Sequence, residues 1–325
     1  MSEKKKFLYG PVPSRRLGRS FGIDIVPMKI CTLDCIYCQL GRTPETTTAR
    51  RAYAPVDEIL AELKEALSEK VEADFITIAG SGEPTLHAQL GRLIEGIKAL
   101  TNITVAVLTN GTLLYRAEVR ADCAKADVVM PSLDAGDERT FRKINRPNRD
   151  ISIRNVISGL CHLRAEFSGQ IWLEVFLIES VNTGDEQIAS IKNAIDLIKP
   201  DKIHLNTAVR PTAQPDIRRL DAARLETIAE RLGPHCEVIA DFSKARSQPS
   251  SSTDSEGTVS PDNMRSSTAS ALLSMLKRRP CSLSDICAGL DIKPNDALKH
   301  ISELQESGFI HTERRDGKVF FKSSL

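Results

Sequence analysis

The chain has 325 residues, 41% hydrophobic and 27% charged, with 44 Lys and Arg against 43 Asp and Glu. That balance excludes a disordered or fibrous chain, and also a protein that coats nucleic acid along its whole length. No apolar run approaches the roughly 18–20 residues that span a bilayer. The start MSEKKKFLYG has lysines with no apolar stretch behind them, so a soluble cytoplasmic protein with no secretory signal is expected.

In chain order, Gly22–Val26 reads as a strand and Val56–Ser68 as an amphipathic helix. Short β-branched runs then alternate with longer helical patterns. The strands fall at Phe75–Ala79, Ile103–Leu108, Asp127–Pro131, Ile171–Ile178 and Lys202–Leu205. The helices fall at Leu86–Leu100, Leu114–Lys125, Ile151–Phe167, Asp185–Ile198 and Leu220–Leu232. About six such alternations predict a parallel α/β sheet with crossover helices, either open or curled into a barrel.

The alternation stops near residue 242, so residues 1–242 form the first domain. Residues 243–267 are rich in Ser, Pro, Thr, Asp and Gly and read as a flexible linker. Residues 268–325 form the second domain. Helices are read at Ala269–Lys277, Ser282–Ala288 and Lys293–Ser307, with Ser282 as N-cap. Two strand patterns follow, around the hairpin turn Asp316-Gly317. Three helices and a hairpin read as a winged helix-turn-helix.

Of eight cysteines, Cys31, Cys35 and Cys38 lie together, between the first strand and the first helix. Three thiolates in an eight-residue loop can hold three irons of a [4Fe–4S] cluster, leaving the fourth iron open to a small molecule. A zinc site is the other reading, but a structural one takes four ligands, and no nearby Cys or His completes the set. The other five cysteines are scattered, so a single cluster is expected.

The spacing of Cys31, Cys35 and Cys38, with Tyr37 just before the last, resembles the signature of the radical S-adenosylmethionine (SAM) superfamily. Ser81-Gly82-Glu83, with Pro84 behind it, resembles the family segment whose backbone receives the SAM amino group. Ser81 stands where the commonest form has glycine. Thr109-Asn110, and Ser132 with Asp134, look like further segments that approach SAM. The resemblance covers roughly residues 7–240 and implies a partial (β/α)6 barrel. It further implies one [4Fe–4S] cluster and SAM as cofactors. An external one-electron reductant of flavodoxin or ferredoxin type is implied with them. Reductive cleavage of SAM would give a 5′-deoxyadenosyl radical that abstracts hydrogen from an unidentified substrate. Oxidoreductase and transferase outcomes are both open.

The segment Tyr9–Gly18 resembles the opening of a subfamily related to wyosine-type tRNA-base synthetases. Those enzymes carry a different cysteine-loop context, and often other domains; here a winged helix is read in place of a flavodoxin-like part. Arg15 and Arg16 could clamp a carboxylate or phosphate, and Asn206 and Arg210, near the end of the last strand, could face substrate. In the second domain Lys293, Asn295, Lys299 and His300 of the third helix, and Arg314, Arg315, Lys318 and Lys322 of the wing, could meet nucleic acid or a protein. The competing function is an iron–sulfur redox-sensing transcriptional regulator acting through the winged helix.

Overall fold

The computed structural model describes residues 7–69, 71–240, 261–290 and 292–324. They fall into two compact units, Met1–Ala240 and Asp241–Leu325.

In the first unit, β1 (Leu8–Ser14) and β2 (Gly18–Ile23) form an antiparallel hairpin. Then come α1 (Val56–Ser68), β3 (Phe75–Ile78), α2 (Leu90–Leu100), β4 (Thr104–Thr109), α3 (Ala117–Cys123) and β5 (Val128–Pro131). Next are α4 (Glu138–Asn145), α5 (Ile153–Glu166), β6 (Gln170–Leu177), α6 (Asp185–Ile198), β7 (Lys202–Thr207), α7 (Ala222–Leu232) and β8 (Cys236–Val238). The eight strands lie side by side in chain order, and every pair after β1–β2 is parallel.

The sheet curls. Phe75 of β3 and Trp172 of β6 are three strands apart, which is about 14 Å on a flat sheet. Their rings nevertheless meet edge-on, with centroids 5.9 Å apart. Arg15, in the turn before β2, donates to the Ile239 carbonyl beyond β8 at 2.6 Å, so the two ends of the sheet approach each other. This is the partial barrel of the expected class. Its outer side chains, such as Ile76, Ile78, Val105, Val107, Leu173, Val175 and Leu205, are fully buried beneath the helices. That burial supplies most of the driving force for the layer.

Three elements add to the sequence reading: β1, α4 and β8. The first parallel strand is Gly18–Ile23, not Gly22–Val26, and the helix read from Leu86 starts at Leu90 after a 3₁₀ turn at Pro84–Leu86. The helix read over Leu114–Lys125 is confined to Ala117–Cys123. No helix among the described residues is long and apolar enough to cross a membrane.

The second unit contains α8 (Pro261–Arg278), α9 (Leu283–Leu290), α10 (Pro294–Glu306) and the hairpin β9 (Ile310–Arg315) and β10 (Lys318–Ser323). Its core is Leu272, Leu276, Cys281, Ile286, Ala297, Ile301, Ile310 and Phe321. Ser282 and Asp285 cap α9 reciprocally: each backbone N–H donates to the other's side chain. Asp316 and Gly317 both take positive φ, 48° and 75°, as the tight hairpin requires. The linker reading needs correction: α8 already covers 261–267, while 243–260 lies outside the described residues. His300 is corrected too. It is 8% exposed, in the unit's interior, and is not part of the outer face of α10.

Candidate active site

The cysteine loop lies beyond the C-terminal end of β2, where parallel α/β folds carry their sites. Its backbone is anchored from several sides. Ile36 N donates to Ile144 O, and Asp34 N to Asn145 O, both at the end of α4. α4 is started by Asp137, which accepts from Thr140 N, and ended by Arg146 in the left-handed region at φ 45°. Thr47 N donates to Cys31 O, and the Asp34 carboxylate accepts from Thr43 N at 2.6 Å.

Each cysteine sulfur meets one nitrogen donor from a different place. Asn110 Nδ2 approaches Cys31 Sγ at 3.5 Å, Asn145 Nδ2 approaches Cys35 Sγ at 3.5 Å, and Lys29 Nζ approaches Cys38 Sγ at 3.2 Å. Burial, reinforced by nearby Glu83, pushes the Cys31 thiol up to about 12. Burial and nearby Asp134 push Cys35 well up too. A metal would displace those protons, and donors aimed at sulfur suit a thiolate. Among the described residues, no three His, Cys, Asp or Glu side chains converge as ligands of one ion. A [4Fe–4S] cluster does not need such convergence, since each thiolate takes a different iron. The donor set therefore fits the cluster.

The segment after β3 is held by the loop before Cys31. Lys29 N donates to Ser81 O at 2.7 Å, and Glu83 N donates to Ile30 O at 2.9 Å. Ser81 Oγ and N both donate to Asp24. A Cβ at Gly82 would sit 2.4 Å from Ile30 O, so only glycine permits this approach. Glu83 is 2% exposed. Its carboxylate accepts from Thr85 N, Thr85 Oγ, Thr109 Oγ and Asn110 N, tying the turn after β3 to the turn after β4. Burial raises its carboxyl, and those four donors counter the rise.

Tyr37 stacks on Phe176 of β6, with centroids 4.0 Å apart, and its hydroxyl donates to Asp134 at 2.5 Å. Asp134 also accepts from Asn145 Nδ2 at 2.7 Å and Phe176 N at 2.9 Å; burial pushes its carboxyl up to about 6. Ser132 pairs with Glu174 in a short parallel bridge and is half-buried.

The four residues read as substrate contacts separate into different settings. Arg16 reaches Glu174 on β6 as an ion pair, and Asn206 Nδ2 donates to the same carboxylate at 2.9 Å. Burial opposes ionisation of Glu174, but Arg16 and Asn206 hold its carboxyl below the usual range. Arg15 is exposed and given to the Ile239 carbonyl. Arg210 is half-buried, three residues past β7.

Sequence reasoning missed Lys29, Asp24, Asn145, Glu174 and His204. His204 on β7 is 2% exposed, stands edge-on to Trp172 at 5.6 Å, and leaves Nδ1 without a partner. A carboxylate and an imidazole inside otherwise apolar strands were the available signals for two of them.

Residues 25–198 match the sequence profile of the Radical SAM superfamily. The chain belongs to the radical SAM superfamily. Residues 265–313 match a Helix-turn-helix domain. This radical SAM chain is 39% identical over 322 residues to a protein named GTPase Obg from Brachyspira hyodysenteriae, covering 99% of the present chain and 46% of that one. It thus spans less than half the length of that relative. It is 34% identical over 235 residues to a UPF0026 protein of Methanocaldococcus jannaschii, covering 71% of each. Streptococcus suis SuiB bound to S-adenosylmethionine shares the fold, with a TM-score of 0.51, 17% identity, and coverage of 68% of this chain and 50% of that one.

Proposed function

We propose that this chain is a radical SAM enzyme, in which Cys31, Cys35 and Cys38 hold one [4Fe–4S] cluster and SAM binds beside it against the strand ends. When bound, cluster and SAM together supply one-electron reductive cleavage to a 5′-deoxyadenosyl radical that takes hydrogen from the substrate. The observation that carries this reading is the pairing of each thiol with its own nitrogen donor, from Asn110, Asn145 and Lys29.

In this reading Glu83 keeps the turns after β3 and β4 in register, so that backbone around Ser81 and Gly82 meets the SAM amino group. Thr109 and Asn110 line the same edge. Tyr37, Ser132 and Asp134 form the wall toward the nucleoside. Substrate lies over Arg16, Asn206 and Arg210. Because Glu174 already neutralises Arg16, Arg16 offers substrate hydrogen bonds and no unpaired charge. Arg15 serves closure of the sheet.

The electron comes from an external flavodoxin or ferredoxin type of donor. The wing residues Arg314, Arg315, Lys318 and Lys322 are the surface for a nucleic acid partner.

The test is anaerobic reconstitution with iron and sulfide, followed by dithionite and SAM and mass spectrometry of 5′-deoxyadenosine. The wild type is expected to form it, and the Cys31→Ala, Cys35→Ala, Cys38→Ala triple variant is expected not to. A full cluster with no deoxyadenosine would overturn the enzyme reading in favour of a sensor.

A further inference from the structure

Of the three donors at the cysteine sulfurs, two are neutral amides and one is a cation. We propose that Lys29 sets the reduction potential of the cluster, by placing its ammonium against the Cys38 sulfur. The inference rests on the reading that Cys31, Cys35 and Cys38 hold a [4Fe–4S] cluster.

Lys29 is built into position. Its backbone sits in the left-handed region at φ 64°, and its N–H donates to Ser81 O at 2.7 Å. Such a conformation is unusual for a residue with a side chain and persists only where neighbours hold it. The side chain bridges two points of the cysteine loop. Nζ donates to Gly41 O at 2.7 Å and reaches Cys38 Sγ at 3.2 Å. Among the described residues no carboxylate pairs with Lys29, so its charge is not neutralised locally. Lys29 is half-buried, which limits screening by solvent.

The electrostatics give a sign. Reduction adds one negative charge to the cluster. A cation touching a ligand sulfur stabilises the reduced form more than the oxidised form, and so raises the potential. A neutral side chain at position 29 makes the cluster harder to reduce. Lys29 is thus a positioning residue that acts through Cys38.

The experiment is a potentiometric titration of the reconstituted cluster without SAM, followed by electron paramagnetic resonance, with iron counted on the same samples. The proteins are wild type, K29R, K29Q and K29M. K29Q and K29M are expected to titrate at lower potential than wild type, with K29R close to wild type and iron content equal. If K29M loses its iron, K29Q decides. Equal potentials in all four proteins would overturn the proposal, as would K29R falling as far as K29Q. A wild type that holds no cluster would instead fell the reading beneath it. A wild type that holds one, with an unmoved potential in K29Q, would fell only the role of Lys29.

Discussion

Asn145 divides one side-chain amide between the Asp134 carboxylate, at 2.7 Å, and the Cys35 sulfur, at 3.5 Å. The residue that ends α4 therefore couples a metal-ligand candidate to the segment after β5. Asp134 in turn gathers Tyr37 from the cysteine loop and Phe176 N from β6. In Asp134→Asn, an amide replaces the carboxylate that accepts all three. Buried donors left unmatched cost ~1–3 kcal/mol each. The variant is expected to lose ~2–4 kcal/mol of stability and at least half of its reconstituted iron. Urea unfolding followed by Trp172, the single tryptophan, together with iron analysis, checks both.

Glu83 is the corresponding tie between the turns after β3 and β4. Glu83→Gln puts an amide group among four donors that need an acceptor. SAM affinity is expected to fall at least tenfold, which corresponds to ~1.4 kcal/mol, while iron content holds. Equilibrium dialysis of SAM against the reconstituted protein measures it. Unchanged affinity would remove these turns from the SAM site.

His204 gives a pH signature. Burial, with nearby Arg16, lowers its ring to about 4 from the ordinary 6.5. The unfolded chain then binds more protons than the folded one between these values. The stability due to this neutral ring is complete above 6.5 and is lost as pH falls toward 4. Between pH 7 and 5 the loss is about 2 kcal/mol. His204→Leu should show a shallower acid limb than wild type by that amount, read by Trp172 fluorescence in urea at the two pH values. Parallel limbs would show that His204 is not the group responsible.

Gly82→Ala tests the close approach of two backbones. The added Cβ would meet Ile30 O at 2.4 Å and Val26 Cγ1 at 2.9 Å. Backbone must shift at the residue just before Cys31. Reconstituted iron is expected to drop severalfold, whereas Gly233→Ala, where a Cβ meets nothing within 4 Å, should keep its iron and lose stability only through its φ of 127°.

Much of the fold and of the candidate site was legible because the candidate residues sit in contiguous motifs beside β-branched runs. Cys31, Cys35 and Cys38, the Gly82-Glu83 turn and the Asp316-Gly317 hairpin could all be read directly. What escaped has physical reasons. β1 carries Pro11 and Pro13, which argue against a strand, yet it is an edge strand with an irregular register between Tyr9 and Val12, where proline is tolerated. α4 is eight residues, only Phe141 and Ile144 of them apolar and buried. The start of α8 lacks an apolar rhythm, although Pro261 at its first position is itself a helix-start signal. Glu174, His204 and Asn206 alternate on β6 and β7, but strands covered on both faces do not announce which side points inward.

Strand order in the sheet equals chain order from β1 to β8. During synthesis, each strand leaving the ribosome finds its neighbour already made, so the sheet can grow by addition at one edge with short loop closures. Contacts across the curl, Phe75 with Trp172 and Arg16 with Glu174, must wait for β6, and the one that waits longest is Arg15 with Ile239, 224 residues apart. It forms only after the last strand emerges, so the nascent barrel stays unlatched until translation of this unit is nearly complete.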